Sequence, residues 1–462
     1  MSTDTANTEL NPNGLPHVEI SWDTVTEEEK KKTLNKVVFS SFLGNFIEWF
    51  DYASYSYLAT VLALVFFPDS DHTVATMMTF GVFALAFLVR PIGALFWGNF
   101  GDKKGRKEAL AISILLMSGG TFLIGCLPGY SMIGIGAPLL LLLLRVIQGF
   151  SASGEYAGAS TFIAEYAPAK RRGFYASMVP ASTATGLLVG SMFATWMFST
   201  WGADSQFVVD WGWRIPFWLA LPLGWITHYI RTHLEDSPVY EIMQKRIDAQ
   251  GMQDTAENKH PVRNLFKNHF RVTIISFGAA VLNAVGFYAV LTFMPNYLET
   301  TLNYDPALAS TITTITLFAY IAMVFISGHV SDKVGRKKML ISACVGFIIL
   351  TIPCFMMMAT LDFTMILIAE LIMNFLLTMN DGSLPSYLVE TFPTTVRFTG
   401  FAVCFNLANA LFGGSTSYIS LALIQSTGDS MAPAYYMIAI ACIALVCMIL
   451  SHDHSNRELD EI

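Results

Sequence analysis

Charge is what this sequence is short of. Only 13% of its 462 residues are Asp, Glu, Lys or Arg, while 53% are hydrophobic and the mean hydropathy is +0.50. So little polar surface cannot clothe a soluble domain of this size, and the chain must be solvated largely by lipid. A phosphate-binding G-x-x-x-x-G-K-[ST] loop, a metal-ligand cluster and a nucleophile-and-base pair are also missing, which argues against an ATP-driven pump and against an enzyme. Neither a cofactor, a metal nor a catalytic residue is expected. Cys126, Cys344, Cys354, Cys404, Cys442 and Cys447 show no CxxC spacing, fall in apolar stretches, and read as small buried hydrophobes. The first 33 or so residues lack the apolar core and cleavage site of a secretory signal, so the first spanning helix is expected to direct insertion. The formal net charge of −8 says little, and nucleic acid is not an expected partner.

What is present is a succession of long apolar runs. At about 20 residues per spanning helix, twelve spans are expected: 35–66, 73–98, 108–128, 134–166, 173–200 and 212–232, then 270–297, 307–331, 338–359, 362–392, 397–425 and 432–451. One long polar stretch divides them. The organisation is therefore a segment 1–34, a six-helix bundle 35–232, a central loop 233–268, a second bundle 269–451 and a tail 452–462. Lys and Arg resist transfer to the outer face. They gather at Lys30–Lys32, Lys36, Lys103, Lys104, Arg106, Lys107, Lys170–Arg172, Lys333, Arg336–Lys338 and Arg397, whereas the alternate loops 67–73, 128–134, 296–305 and 425–433 hold none. Both termini and the central loop are expected on the cytoplasmic side of a bacterial-type cell membrane.

The chain also repeats itself. Gly98-Asn99-Phe100-Gly101-Asp102-Lys103-Lys104-Gly105-Arg106-Lys107 returns as Gly328-His329-Val330-Ser331-Asp332-Lys333-Val334-Gly335-Arg336-Lys337. Glu165, Pro168 and Arg172 are matched by Glu390, Pro393 and Arg397. Two copies of one helical module are the usual build of a secondary transporter. Further patterns are Gly44-Asn45-Phe46-Ile47-Glu48-Trp49-Phe50-Asp51, Arg90-Pro91-Ile92-Gly93, Gln148-Gly149-Phe150-Ser151, Gly154-Glu155-Tyr156 and Trp211-Gly212-Trp213-Arg214-Ile215-Pro216-Phe217. Together these resemble the metabolite:proton symporters of the major facilitator superfamily. The resemblance implies an all-α integral membrane protein with 12 transmembrane helices in two pseudo-symmetric six-helix bundles, moving a small-molecule substrate with a proton, as a monomer. Family substrates include proline and betaine, α-ketoglutarate, citrate and shikimate.

Ionisable side chains at bilayer depth cost about 2.5–3.5 kcal/mol each on insertion scales, so those that persist face the interior and have partners. Glu48, Asp51 and Tyr55 share one face of span 1, Arg90 sits near the middle of span 2, and Arg145, Gln148, Ala152 and Glu155 make one stripe on span 4. Asp51 and Glu155, with Glu48, are expected to carry the coupled proton, and Arg90 and Arg145 are expected as their counter-ions. The competing reading is that these pairs only pin helices together. The second half reads as polar but almost uncharged in its spans: Asn283 and Tyr288 in span 7, Asn374, Thr378 and Asp381 in span 10, Asn406 and Asn409 in span 11. Amides and phenols suit hydrogen bonding to a small solute or to a neighbouring helix. Arg90, Arg145, Gln148, Tyr55 and Tyr156 are added to them as substrate ligands, and Trp49, Phe50 and Tyr52 beside the charged stripe suit an ammonium.

The resemblance also assigns Asp102, Arg106, Glu165 and Arg172, with their second copy Asp332, Arg336, Glu390 and Arg397, to a cytoplasmic gate. At the water boundary such bridges are expected to be weak. Within the family, Gly154–Ser160, Thr427-Gly428-Asp429 and Ala432–Tyr436 read most like proline and betaine carriers, while Ser153, Pro180 and Gly413-Gly414-Ser415 depart from them. A zwitterionic osmolyte is thus the expected substrate, with an organic acid as the alternative and drug:proton antiport as a further one. The chain runs 11 residues (452–462) past the last span, without the long C-terminal coiled coil of some osmosensing members, so osmotic gating by such a tail is not expected.

Overall fold

The computed structural model describes residues 21–459 apart from 69, 71, 203–204, 250–259 and 456. Twelve long helices follow one another among these residues. The first half has α1 (Glu27–Tyr57, resumed after Leu58 as Ala59–Phe66), α2 (Met77–Lys104), α3 (Arg106–Cys126), α4 (Gly136–Tyr166), α5 (Ala169–Trp201) and α6 (Ile215–Thr232). The second half has α7 (Phe270–Thr301), α8 (Pro306–Val334), α9 (Arg336–Met358), α10 (Phe363–Thr391), α11 (Arg397–Thr427) and α12 (Ala432–Leu450). Ten are long and apolar enough to cross a membrane. The other two are α1, which carries Glu48 and Asp51, and α6, whose 18 residues include His228 and Arg231.

Local chemistry sets several boundaries. Thr26 and Glu29 form a reciprocal capping box at the start of α1, and Asp305 and Asp362 cap α8 and α10 through the amides of Leu308 and Met365. Gly105 and Gly335, the last glycines of the repeated loop, have φ of 108° and 102°. This conformation is open to glycine and strained for other residues, so each loop turns sharply from one helix into the next. The first glycines serve a different need. A Cβ on Gly98 would lie 2.6 Å from the Thr399 Cα of α11, and one on Gly328 would lie 2.7 Å from the Gly173 carbonyl of α5. The repeated loop thus lets α2 rest on α11 and α8 on α5, which are the two main contacts between the halves.

Within the first half α1 packs on α5 and α6, α2 on α4, and α3 on α6. Within the second α9 packs on α10 and α12, α7 on α11 and α12, and α8 on α10. Leu88, Ile92, Phe318, Ile349, Met356 and Ile449 point outward and expose much of their surface, an apolar belt suited to lipid. The cysteines divide: Cys344, Cys354 and Cys404 are buried, but Cys126 and Cys442 are exposed and Cys447 partly so. The expectation of burial for all six is corrected, because an apolar helix in a bilayer has a lipid face as well as a core face.

Candidate substrate cavity and charge networks

Between the halves lies a cavity with about 260 Å³ of atom-free space, its opening included. It is lined by Trp49, Tyr156, Pro180 and Thr183 of the first half and Asn283, Phe287, Asp381, Phe405 and Asn409 of the second. Aromatic rings meet across the divide: Tyr156 stacks on Phe405 at 4.1 Å between centroids, and Trp49 lies 5.1 Å from Phe287. Asp381 is buried and accepts hydrogen bonds from the Asn283 amide and the Tyr320 hydroxyl. Two cavity-lining helices are irregular here. α7 widens to π-helical turns over Tyr288–Phe293, directly after Phe287, and α11 does so over Asn409–Gly413. Such widened turns are frequent at functional sites because they re-aim side chains.

The first-half acids lie behind this wall, each paired with an arginine. Glu48 pairs with Arg90, which also donates to the Tyr52 hydroxyl and lies 4.6 Å over the Phe87 ring. Asp51 pairs with Arg145 at 2.7 Å and accepts from Gln148 at 2.5 Å; Arg145 stacks 3.8 Å over Tyr55. Glu155 does not meet Arg90 or Arg145. Its partner is Arg231, in the last turn of α6, at 2.5 and 2.9 Å, and Arg231 also donates to the Leu110 and Ser40 carbonyls. That pair ties α1, α3, α4 and α6 together, and it fits because position 44 of α1 is glycine: a Cβ there would collide with both partners.

Of the expected substrate ligands, Tyr156, Asn283, Asp381 and Asn409 line the cavity. Arg90, Arg145, Gln148, Tyr55 and Tyr288 stand behind it, and Asn374 lies further along α10. Asn406 spends its amide across the divide on the Ser153 carbonyl at 2.8 Å, an interhelical bond.

All eight residues expected to form a gate come together at the basic end of the molecule. Asp102, Arg106 and Glu165 of the first half join Arg397 of the second, with Glu165 to Arg397 at 2.8 Å. Asp332, Arg336 and Glu390 of the second half join Arg172 of the first, with Arg172 to Glu390 at 2.9 Å. Each aspartate also caps a helix of the opposite half. Asp102 accepts from the amides of Phe398 and Thr399 at 3.1 and 2.9 Å, and Asp332 from those of Gly173 and Phe174 at 2.7 and 2.9 Å. The bridging side chains are at most 2% exposed, which corrects the expectation that they sit at a water boundary. They are covered from the side. Ser237 donates to Glu165, the Tyr240 ring lies 4.9 Å from the Arg106 guanidinium, and Asp236 accepts from the Arg106 amide at 3.1 Å. Burial pushes the Asp236 carboxyl above its ordinary range, against the opposing pull of the Ser237 amide and Arg106. The tail contributes too: the Leu459 carbonyl accepts from Arg397 at 2.9 Å and the Arg457 carbonyl from Arg172 at 3.0 Å.

A latch built this way need not be tight. Desolvating the charges costs about as much as their attraction returns, so the net hold of the bridges is small.

Comparison with known proteins agrees with this architecture. The family model described as Major Facilitator Superfamily matches residues 42–417 and 276–459. The chain belongs to that superfamily. This facilitator is 36% identical over 429 residues to the proline/betaine transporter of Salmonella typhimurium, covering 92% of its own length and 85% of the relative's. It is 35% identical, with the same coverage, to the glycine betaine/proline/ectoine/pipecolic acid transporter OusA of Dickeya dadantii. Among solved structures, the proton:xylose symporter XylE bound to 6-bromo-6-deoxy-D-glucose aligns with a TM-score of 0.76 at 18% identity, over 94% of this chain and 98% of that one. At that identity it shows the fold alone.

Several residues of this facilitator's site escaped the sequence reading. Arg231 was passed over because an arginine in the last turn of a span reads as a topology signal. Glu370, inside α10, is a buried carboxyl in spans that read as almost uncharged; the rule that singles out Glu48 and Asp51 applies to it equally. Thr183, Phe287 and Phe405 gave no signal, since a threonine or phenylalanine in an apolar run is ordinary packing until its neighbours are known.

Proposed function

We propose that this facilitator is a proton-coupled uptake carrier for a small zwitterionic osmolyte of the proline or glycine betaine kind, working as a monomer by alternating access. Its place is the cytoplasmic membrane, with the basic end, both termini and the 233–268 connection inside and no catalytic activity. The observation that carries the reading is Asp381 sharing a cavity with Trp49, Tyr156, Phe287 and Phe405, with no basic side chain among the lining residues. A secondary or quaternary ammonium held between a carboxylate and aromatic faces gains Coulomb attraction and up to about 2 kcal/mol of cation–π energy when desolvated. Asn409, whose amide donates one N–H to the Phe405 carbonyl, keeps a second for the solute's carboxylate. The names of the relatives support the same class of substrate. A dicarboxylate would meet Asp381 without a free arginine, since Arg90 and Arg145 are already neutralised by Glu48 and Asp51.

For coupling, the pairs on α1 are the natural element. Arg90 lies just behind Trp49 and Tyr52, so a substrate that draws it forward frees Glu48, and through the shared face of α1 Asp51, to take a proton. Glu155, clamped by Arg231 on the far side, serves as an anchor in this scheme. The test is uptake by reconstituted vesicles under an inward proton gradient. Labelled proline or betaine should accumulate and each should compete with the other, while α-ketoglutarate and citrate fail. Saturable uptake of a dicarboxylate with no response to either zwitterion would overturn the substrate assignment.

A further inference from the structure

The acids in the first-half spans each hold an arginine; Glu370 and Asp381, in the second, hold none. Both lie on α10, eleven positions apart, which is three turns along one face and about 16 Å along the axis. Each is 1% exposed. Glu370 accepts from the Thr316 hydroxyl of α8 at 3.3 Å, and its Oε1 has no partner. Asn374, one turn further, donates to the Glu370 carbonyl at 2.9 Å and leaves its own Oδ1 without a donor. Tyr320, one turn beyond Thr316 on α8, donates to Asp381. The α8–α10 seam thus carries two carboxyls, each joined to a hydroxyl of α8, with two acceptor oxygens near the upper one left unsatisfied.

We propose that Glu370 is a proton-binding site in the outer half of the second bundle, loaded from the external side. The inference rests on the symport reading. A carboxylate buried without a counter-ion is tolerated only when a proton or a cation neutralises it. A proton on Glu370 supplies the donor that this acceptor-rich spot lacks. Burial and the Thr316 hydroxyl are what act on Glu370: α8 brings Thr316 and Tyr320, α10 its own Asn374 and Thr378, α7 Asn283, Tyr288 and Tyr297 with Glu299 in its external turn, and α9 only Cys344 and Cys354 within the span. The basic residues of α8 and α9 lie at their cytoplasmic ends. Asp381 meets Tyr320, Asn283 and, across the cavity, Tyr156, again with no base. Glu370 lies seven residues inside the external start of α10, on the side from which an incoming proton arrives.

Three measurements decide the matter. The first is uphill uptake in vesicles by the Glu370→Gln variant. A proton driven by 100 mV supports roughly 50-fold accumulation of a neutral solute, and the variant should fall to unity while substrate counterflow, which needs no proton gradient, continues. Loss of both in the variant, with counterflow normal in the parent, would mean a structural role, and full accumulation by the variant would remove Glu370 from the route. The second is infrared titration of the purified protein, which should show a carboxyl band that disappears on raising pH and is absent from Glu370→Gln; a band present at every pH marks a permanently protonated packing residue and overturns the proposal. Should Glu370→Gln fail to fold, Glu370→Asp, keeping the carboxyl, should restore accumulation with a displaced pH profile. The third is replacement of sodium by potassium at unchanged membrane potential, which should change nothing. A requirement for sodium would assign the site to that ion instead. Absence of proline and betaine counterflow in the parent protein would refute the substrate assignment and leave the Glu370 titration to be judged by itself.

Discussion

Replacing Glu165 by glutamine should open the gate. The network Asp102, Arg106, Glu165 and Arg397 is neutral as built, two acids against two arginines. In Glu165→Gln one acid faces two buried arginines. Removing one partner of a buried pair costs about 3–5 kcal/mol. Arg397 retains the Val389, Phe392 and Leu459 carbonyls, so the lower end applies. About 3 kcal/mol at ~1.4 kcal/mol per decade shifts the population more than a hundredfold away from the closed arrangement. Ser177, fully buried on α5 and facing Gly328 of α8, reports on it. A cysteine placed there, in a background without other reactive thiols, should be modified from the cytoplasmic side far faster in Glu165→Gln than in the parent. The double variant Glu165→Gln/Arg397→Gln restores neutrality and should regain part of the protection. Unchanged labelling in the single variant would mean that the helix caps and apolar contacts hold the gate, and that the ion pairs are incidental to it.

Asp51→Asn should abolish accumulation under a proton gradient while leaving exchange; uphill uptake by the variant would move the coupling site off α1. Glu155→Gln strands Arg231 and should lower thermal stability by about 3–5 kcal/mol, measured by melting in detergent, with exchange preserved in the folded fraction; an unaltered melt with lost coupling would reverse its assignment as an anchor. Ending the chain after Ser451 removes the carbonyls of Leu459 and Arg457 from Arg397 and Arg172, so it should also increase cytoplasmic labelling at position 177, by less than Glu165→Gln does. Cysteines at Lys104 and Asp429 should label from the cytoplasm and from outside respectively; the corresponding positions Gln250 and Asp71 lie outside the described residues.

The membrane class and the duplicated helical build were legible in the chain alone, and the family resemblance added the eight charged residues of the gate. These follow from features local in the chain or repeated in it: apolar runs long enough to span, basic residues on alternate loops, and the glycines and aspartates of two matching loops. Pairing between distant helices was decided only by the tertiary structure. Periodicity put Glu155 on a stripe with Arg145 and Gln148, but whether it met Arg90, Arg145 or Arg231 depended on how α6 lay against α1 and α4. Gly44 made room for Arg231 and so settled the choice. The cavity wall was hidden for the same reason, because Thr183, Phe287 and Phe405 acquire a role only where two helical bundles meet. Burial of the gate was hidden as well: the loop sequence placed its charges at a membrane surface, and only the packing of Tyr240, Leu459 and the opposing helix ends closed them off from water.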